Sequence, residues 1–433
     1  MNLTLNPNFR RYLGNSTWMM TEQLLRLFSG VFVGIYIARY LGPDQFGALS
    51  YVLTISALLI GVSRMGMDSV LTRDLVQKPD RKQELMGTAF WIMTITAAIC
   101  YALTATTIYN IQEDNETKLY ALIIAGSTFF TSFLVIDFYF QSQIQAKYSS
   151  LCKSTSLIIT SCIKLLLIFY KSNLIWFVVI TALEQAILAI FLIVVFARTN
   201  FLTFFFKFNT QDAKEMLVSC WPMVASSVAI LIYMRIDQIM IRHMLGLREV
   251  GIYSAAAKLF DAWFLLPYTL TISLLPIISK LKQENSPFYR LRLTQFFSMI
   301  IWACMLVAII TTFTSEYIIK LSFGDEYKKA APVLTIMMWT AVFSAIGSVS
   351  ARYFSAERME KKIATRTIVS AVLNIILNFI LIPIYGIIGA AIATLTCTIF
   401  ANYLIDWLDK DLKVLLKIKH NALLFRYQLK DSK

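Results

Sequence analysis

The stretch IARYLGPDQFGALS, residues 37–50, occurs a second time in this chain in related form. The second copy is IRHMLGLREVGIYS, residues 241–254, at an offset of 204 residues. Two glycines recur at equivalent positions of the copies: Gly42, Gly47, Gly246 and Gly251. Glycine permits tight backbone turns and close contact between helices. The pattern predicts an internal duplication, with a turn of the same kind in each half of the chain.

Long apolar runs lie on both sides of each copy. Only 15% of the 433 residues are charged, 58% are hydrophobic, and the mean hydropathy is +0.64. A soluble protein of this length needs more charge on its surface, and about 20 apolar residues suffice for a membrane-spanning helix. We therefore predict an all-α polytopic membrane protein with twelve transmembrane helices, at about residues 16–38, 46–67, 86–109, 118–140, 151–170, 174–196, 216–241, 251–277, 291–313, 332–352, 363–383 and 387–407.

The duplicated turn follows the first predicted span of each half, which divides the spans into two sets of six. The sequence thus predicts an N-terminal six-helix bundle over residues 1–205, a C-terminal six-helix bundle over 206–409 and a basic cytoplasmic tail over 410–433. Because six is an even number, both halves have the same orientation in the membrane. The predicted pseudo-two-fold axis is then parallel to the membrane normal, as in transporters built from parallel repeats.

The distribution of Lys and Arg predicts the orientation. With the N-terminus in the cytoplasm, 28 of the 40 basic side chains fall in cytoplasmic segments and 8 on the opposite side. This asymmetry predicts that both termini are cytoplasmic. The first apolar run is longer than a signal-peptide core and lacks a small-x-small cleavage site, so we expect an uncleaved first span. For the tail, we expect either a helix on the anionic inner leaflet or a mobile tether.

Several classes of function are disfavoured by composition. The net charge of +14 does not indicate nucleic-acid binding, because the basic residues lie mainly between apolar runs and no nucleic-acid-binding motif accompanies them. The two histidines are far apart in sequence, and the six cysteines form no CxxC pair. We therefore expect no metal site, no cofactor and no catalytic residue.

Nine ionisable side chains fall inside the predicted spans, where a central charge costs about 2.5–3.5 kcal/mol. They are Glu22, Arg26, Asp137, Lys164, Glu184, Arg235, Asp237, Lys258 and Asp261. Such residues usually face a cavity or a charged partner rather than lipid. They predict a wet interior lined by protein.

Spacing along a helix predicts two pairs of these charges, Glu22 with Arg26 (i,i+4) and Lys258 with Asp261 (i,i+3). Lys164 and Glu184 lie in adjacent spans and are expected to pair across them. Arg235 and Asp237 are two residues apart and point about 200° apart, so at least one of them needs a partner on another helix. Asp137, near the end of its span, is expected to reach the membrane surface. Whether the pairs only fix helix packing or also serve transport is open.

Three segments resemble a known family. ARYLGPDQFGALSY (38–51), RIDQIMIRHMLGLREVGIYSAAAKL (235–259) and NIILNFILIPIYGIIGAAIAT (374–394) are similar to recurrent segments of the Wzx-type O-antigen and capsule repeat-unit flippases. These flippases are the polysaccharide branch of the multidrug/oligosaccharidyl-lipid/polysaccharide (MOP) exporter superfamily. The resemblance extends over about residues 10–407.

The resemblance implies a bacterial inner-membrane translocase that moves undecaprenyl-diphosphate-linked oligosaccharides from the cytoplasmic to the periplasmic leaflet. It implies two six-helix bundles that form a V around a central cavity, with basic side chains that bind the anionic lipid. The candidate cations here are Arg26, Arg235, Lys258 and Lys164. The candidate acids for ion coupling or pairing are Glu22, Asp237, Asp261 and Glu184. Because acids accompany the bases in the spans, this sequence departs from the purely cationic cavity that the resemblance implies.

Other functions stay open at this point. The main alternative is a multidrug or cation antiporter of the MATE type, in which the acids would hold a cation or proton. A lipid II flippase of the MurJ type resembles a fourteen-span chain, whereas twelve spans are predicted here. A membrane enzyme would need a catalytic acid cluster or a long loop. A polysaccharide polymerase and a chain-length regulator are candidate partners, and the sugar, the coupling ion and the oligomeric state are left open.

Overall fold

The computed structural model describes residues 7–110, 115–198, 202–284 and 288–426, and these residues contain helices and no strand. The predicted all-α fold is therefore confirmed for this part of the chain. The α-helices are α1 Pro7–Arg64, α2 Met67–Gln77, α3 Lys82–Asn110, α4 Asn115–Ser127, α5 Leu134–Ser142, α6 Ala146–Phe169, α7 Leu174–Ala197, α8 Thr210–Leu245, α9 Leu247–Gln283, α10 Tyr289–Phe323, α11 Ala330–Ala356, α12 Glu360–Tyr385, α13 Ile387–Ile399, α14 Ile405–Leu408 and α15 Lys413–Leu423.

All twelve predicted spans lie on helical segments of the structure. In the described part of the chain, ten helical stretches are long and apolar enough to cross a membrane. The first of them, Gly14–Gln77, contains both of the first two predicted spans, because α1 continues through a kink at Gly42. The seventh predicted span lies on α8, which is not among the ten. The chain is thus a multi-pass membrane protein.

The chain divides into two compact units. Unit 1 consists of Met1–Leu41 and Ala48–Leu231, and unit 2 consists of Gly42–Gly47 and Ile232–Lys433. The division falls inside α8, whereas the sequence predicts a boundary at residues 205 and 206. The short turn Gly42–Gly47 belongs to unit 2, because it packs on that unit's own turn.

The two copies of the turn adopt the same backbone conformation. Gly42 has φ 68° and ψ 173°, and Gly246 has φ 102° and ψ 178°. This region of φ is strained for any residue with a side chain, which explains glycine at both positions. The predicted pair of equivalent turns is therefore confirmed.

Within unit 2, the two turns contact each other reciprocally. A Cβ atom added to Gly47 would lie 1.9 Å from the Leu247 carbonyl oxygen, and one added to Gly251 would lie 2.0 Å from that of Pro43. One ion pair joins equivalent positions of the copies, since Arg248 Nη1 lies 2.7 Å from Asp44 Oδ2. The second glycine of each copy is thus required for close backbone contact.

The C-terminal tail forms part of the body of unit 2. Lys419 of α15 is fully buried, and its Nζ donates to Asp406 Oδ2 at 2.6 Å and to the Asn402 carbonyl oxygen at 2.7 Å. Arg366 pairs with the other oxygen of Asp406. Burial lowers the pKa of Lys419 to about 8 despite the Asp406 charge. The expected mobile tether is wrong for α15, while residues 427–433 lie outside the described part of the chain.

We predict that Gly47→Ala and Gly251→Ala both lower the temperature of unfolding. Each added methyl group overlaps a carbonyl oxygen, and such overpacking costs about 1–3 kcal/mol. Thermal unfolding of the purified protein in detergent measures the effect. Gly30→Ala is the matched control, since nothing lies within 4 Å of its added Cβ. Equal unfolding temperatures for all three variants and the wild type would contradict the close contact.

Candidate functional site

Asp237 of α8 is a buried carboxylate in unit 2, with only 5% of its surface exposed. Side chains of three other helices hydrogen-bond to it. Tyr253 Oη of α9 and Thr394 Oγ1 of α13 donate to Oδ2 at 2.7 and 2.8 Å, and Asn378 Nδ2 of α12 donates to Oδ1 at 2.6 Å. The carboxylate therefore holds four helices of unit 2 at one point.

A second asparagine extends this polar cluster. Asn378 Nδ2 also contacts Asn374 Oδ1 at 3.0 Å, and Asn374 Nδ2 donates to Thr394 Oγ1 at 3.2 Å. Both asparagines are completely buried. The side-chain oxygen Asn378 Oδ1 is buried and has no hydrogen-bond partner among the described residues. A buried acceptor of this kind is costly unless something binds to it.

The cluster has the chemistry of a site for a proton or a small monovalent cation. Asp237 contributes one negative charge, and the neutral side chains of Tyr253, Asn374, Asn378 and Thr394 contribute further oxygens. Hard cations prefer oxygen ligands, and one carboxylate balances one positive charge. The described residues contain no group of three or more His, Cys, Asp or Glu side chains that could hold a metal ion. Because the cluster contains a single carboxylate, its charge is matched by one proton or one monovalent cation.

Unit 1 contains two of the predicted ion pairs. Arg26 Nε lies 3.1 Å from Glu22 Oε1 within α1, with the Arg26 side chain 47% exposed. Lys164 Nζ of α6 lies 3.3 Å from Glu184 Oε2 of α7, and both side chains are mostly buried. Both predicted pairings are confirmed. The role of these residues in binding remains a prediction.

Unit 2 contains a pair between helices that the sequence did not identify. Asp261 of α9 pairs with Arg235 of α8, at 3.4 Å between Nη2 and Oδ2. The Lys258 ammonium lies 5.5 Å from the centroid of the Phe46 ring. Arg235 and Asp237 contact α9 at different residues, Asp261 and Tyr253. The need of Arg235 for a partner on another helix is confirmed. The Lys258 charge is within electrostatic range of Asp261, and the Lys258–Asp261 pair stays a prediction.

Asp137 is a further correction. The sequence predicts that this side chain reaches the membrane surface, but it is 3% exposed in α5. Lys153 of α6 neutralises it, with 2.7 Å between Nζ and Oδ2. The pair belongs to unit 1 and joins two of its helices.

The four candidate acids thus differ in their partners. Glu22, Glu184 and Asp261 each pair with a basic side chain, whereas the hydrogen bonds to Asp237 come from neutral groups. Sequence reasoning missed the partners of Asp237. One available signal was the i,i+4 spacing of Asn374 and Asn378 inside an apolar span, which places two amides on one helix face.

Comparison with solved structures identifies the fold. The lipid II flippase MurJ in an inward closed conformation matches with a TM-score of 0.72 at 18% identity, over 96% of this chain and 92% of that chain. An inward-facing multidrug resistance MATE family transporter of the MOP superfamily matches with a TM-score of 0.69 at 15% identity, over 92% of this chain and 96% of that chain. The protein therefore has the MOP transporter fold.

Sequence comparison gives the family. The family described as polysaccharide biosynthesis protein matches residues 12–282, and the MatE family matches residues 222–380. The chain belongs to the polysaccharide biosynthesis protein family.

Among curated relatives, a Shigella flexneri protein named as an O-antigen transporter is 21% identical over 86% of this chain and 91% of that protein. A Haloferax volcanii protein named as a low-salt glycan biosynthesis flippase is 28% identical over 43% of this chain and 40% of that protein. The capsular polysaccharide biosynthesis protein CapF of Staphylococcus aureus is 24% identical over 44% of this chain and 48% of that protein. In the last two cases the match spans less than half the length of the relative.

We predict that Asp261 is coupled energetically to Arg235 more strongly than to Lys258. Two double-mutant cycles with alanine, scored by the free energy of unfolding, measure the couplings. Both side chains of the Arg235–Asp261 pair are partly exposed, so we expect a coupling of about 0.2–1 kcal/mol. A larger coupling in the Lys258 cycle would contradict the pairing seen in the structure.

Proposed function

We propose that this protein is a flippase that translocates undecaprenyl-diphosphate-linked oligosaccharide repeat units, of O-antigen or capsule, across the bacterial inner membrane. The observation that carries the proposal is the family match over residues 12–282. The name of the Shigella relative, whose match covers nearly its full length, supports transport of a saccharide. The movement breaks no bond, so the proposal includes transport by alternating access and no enzymatic step.

The basic side chains of the spans suit the anionic part of this substrate. A diphosphate with a sugar headgroup cannot cross lipid unaided, whereas its isoprenoid tail stays in lipid. Arg26 and Arg235 offer guanidinium groups that donate two parallel hydrogen bonds to phosphate oxygens. Both are partly exposed, at 47% and 32%, and each is now held by one acid. We propose that phosphate oxygens replace these acids when the substrate binds, with Lys164 and Lys258 as further cations.

Coupling to an ion gradient is assigned to Asp237. Its neutral partners and the unpartnered Asn378 oxygen suit a proton or a monovalent cation better than the three paired acids do. A cation at this carboxylate would change the hydrogen bonds among α8, α9, α12 and α13. Ion binding would thereby alter the packing of unit 2, which is the kind of two-state element that transport requires.

The proposed location is the inner membrane, with both termini in the cytoplasm. The excess of Lys and Arg in the predicted cytoplasmic segments supports this orientation. A polysaccharide polymerase and a chain-length regulator are proposed partners, because the product of the translocation is their substrate.

A MATE-type cation antiporter is the second candidate function. The specific observation in its favour is the MatE match over residues 222–380, which includes Asp237 and both asparagines of its cluster. This function uses the ion site and leaves Arg26, in unit 1, without a role.

Complementation of a flippase-null bacterium tests the proposal. We predict that the wild-type gene restores surface polysaccharide and that Arg26→Ala and Arg235→Ala reduce it at least about tenfold, because each removes a charge-assisted phosphate contact. Surface polysaccharide is measured by immunoblot, and membrane insertion by the yield of tagged protein.

Two kinds of variant serve as controls. Lys171→Gln removes an exposed lysine outside the predicted spans and should leave export unchanged. Arg26→Lys and Arg235→Lys keep the charge without the bidentate geometry, so intermediate export is expected. Failure of the wild type to restore polysaccharide, together with expulsion of cationic drugs, would favour the antiporter. Full export by both alanine variants would contradict the role of the two arginines.

A further inference from the structure

Helix α12 buries polar side chains and exposes apolar ones, the reverse of a surface helix in a soluble protein. Spacing of four residues places one row of side chains along its buried face, each at most 7% exposed: Arg366, Ser370, Asn374 and Asn378. The exposed side chains of the same helix include Ile368, Val372, Ile375, Ile376, Phe379 and Ile380. The polar row therefore lies in the interior of unit 2.

The polar row extends from the Asp237 cluster toward one surface of the membrane. Between Arg366 and Asn378 the helix advances by about 18 Å, more than half of a hydrocarbon thickness of about 30 Å. Asn378 donates to Asp237 at one end. At the other end, the predicted cytoplasmic end of this span, Arg366 pairs with Asp406, which also binds Lys419. The row thus connects the buried carboxylate with the predicted cytoplasmic side of unit 2.

The cytoplasmic end of the row reaches solvent through a series of charged side chains. Asp409 is partly exposed, lies within electrostatic range of Arg366 and pairs with Lys362. Lys362 also pairs with Asp411, whose side chain is 72% exposed. Exposure therefore increases in steps from Arg366 to the surface, so water at the surface can exchange protons with the end of the row.

Three buried polar atoms of the row have no hydrogen-bond partner among the described residues. They are Arg366 Nη1, Ser370 Oγ and Asn378 Oδ1. Buried polar atoms rarely stay unpaired, and internal water satisfies those that protein groups leave. Asn374, the fourth member of the row, contacts Asn378 and Thr394. The face thus needs further hydrogen-bond partners at three heights of one helix.

Hydroxyl groups of two other helices lie beside the row. Tyr233 Oη of α8 is 2.9 Å from Thr398 Oγ1 of α13, and Ser370 lies close to the Tyr233 hydroxyl. Thr394, one turn from Thr398 on α13, donates to Asp237. Hydroxyl groups and water molecules both donate and accept hydrogen bonds. A series of such groups can therefore pass a proton along without moving an ion of larger size.

The groups around Asp237 are suited to a proton that arrives along the row. The titratable side chains within its electrostatic range are Tyr253 of α9, Tyr233 of α8 and Cys397 of α13. All three are neutral when they are protonated, and the partners from α12 are asparagines, which do not titrate. The Asp237 carboxylate is thus the acceptor of a proton at this end.

We infer that the buried polar face of α12 holds a file of water molecules that carries protons between the cytoplasm and Asp237. Each transfer breaks one O–H bond and forms another, and the last transfer forms an O–H bond on the Asp237 carboxylate. The inference rests on the ion-coupling role proposed for Asp237, and it adds the route and the ion. It also explains why a helix whose outer face is apolar carries four polar residues on its buried face.

Proton uptake by Asp237 after a rapid drop in pH tests the inference. The purified full-length protein is followed in detergent by time-resolved infrared absorption, and the carboxyl band that Asp237→Asn lacks is the signal. Ser370→Thr and Ser370→Val introduce side chains of the same shape, of which only threonine has a hydroxyl group. We expect uptake at least about tenfold slower with valine than with threonine, because the neighbouring water loses a hydrogen-bond partner. Thr398→Val also removes a hydroxyl group at constant shape and should slow uptake relative to the wild type.

Val372→Thr is the matched control, because it exchanges the same two side-chain types on the exposed face of α12. Its uptake rate should stay within about twofold of the wild-type rate. Thermal unfolding identifies a variant that does not fold, and the other hydroxyl position then decides the result.

Equal uptake rates in the wild type and all folded variants would overturn the inference. Absence of the Asp237 band in the wild type would overturn it together with the ion-coupling role of Asp237. Because the measurement contains no lipid substrate, it is independent of complementation. Failed complementation combined with slow uptake in Ser370→Val would remove the flippase function and support the file of water molecules.

Discussion

A carboxylate buried among apolar helices must be neutralised or fully hydrogen-bonded, and Asp237 satisfies this requirement with neutral groups alone. The consequence is that four helices of unit 2 depend on a single charge. If a proton or cation binds there, the hydrogen bonds of Tyr253, Asn378 and Thr394 must rearrange together. The other four acids among these charges, Glu22, Asp137, Glu184 and Asp261, are each paired with a basic side chain, which leaves Asp237 as the acid that responds most directly to an ion.

The other acids inside the predicted spans meet the same requirement through ion pairs with basic side chains. Glu22 holds Arg26, Glu184 holds Lys164, and Asp261 holds Arg235. Each acid limits the cost of a cation inside the bilayer and keeps that cation available for an anionic ligand. The arrangement explains why the interior contains acids as well as bases, although its proposed ligand is a diphosphate.

Local sequence patterns predicted the turns and the ion pair whose geometry depends only on residues close together in the chain. Gly42 and Gly246 were predictable as equivalent turns because both need a positive φ, and the Glu22–Arg26 pair follows from i,i+4 spacing. Partners far apart in sequence were not predictable. Asn378 and Thr394 are 141 and 157 residues from Asp237, so their contacts depend on how α8, α12 and α13 pack.

The same reason explains two differences between prediction and structure. Spacing along α9 favoured Lys258 as the partner of Asp261, whereas the packing of α8 brings Arg235 within 3.4 Å of it. For the tail, the sequence predicted a helix on the inner leaflet or a mobile tether. Lys419 is nevertheless buried, because its ammonium group donates hydrogen bonds to Asp406 and to the Asn402 carbonyl oxygen, which lies in a π-helical turn. Composition and spacing along one helix do not identify partners that only the packing of different elements brings together.

Ion-driven movement of a lipid-linked saccharide is the central claim, and it can be measured directly. The purified protein is reconstituted into liposomes that contain undecaprenyl-diphosphate-linked repeat units, and the fraction accessible to an external glycosidase is followed under an imposed proton or sodium gradient. We predict that one of the two gradients accelerates translocation by the wild type, and that Asp237→Asn, which keeps the shape but removes the charge, responds to neither. An equal response of this variant to the gradient would contradict the account.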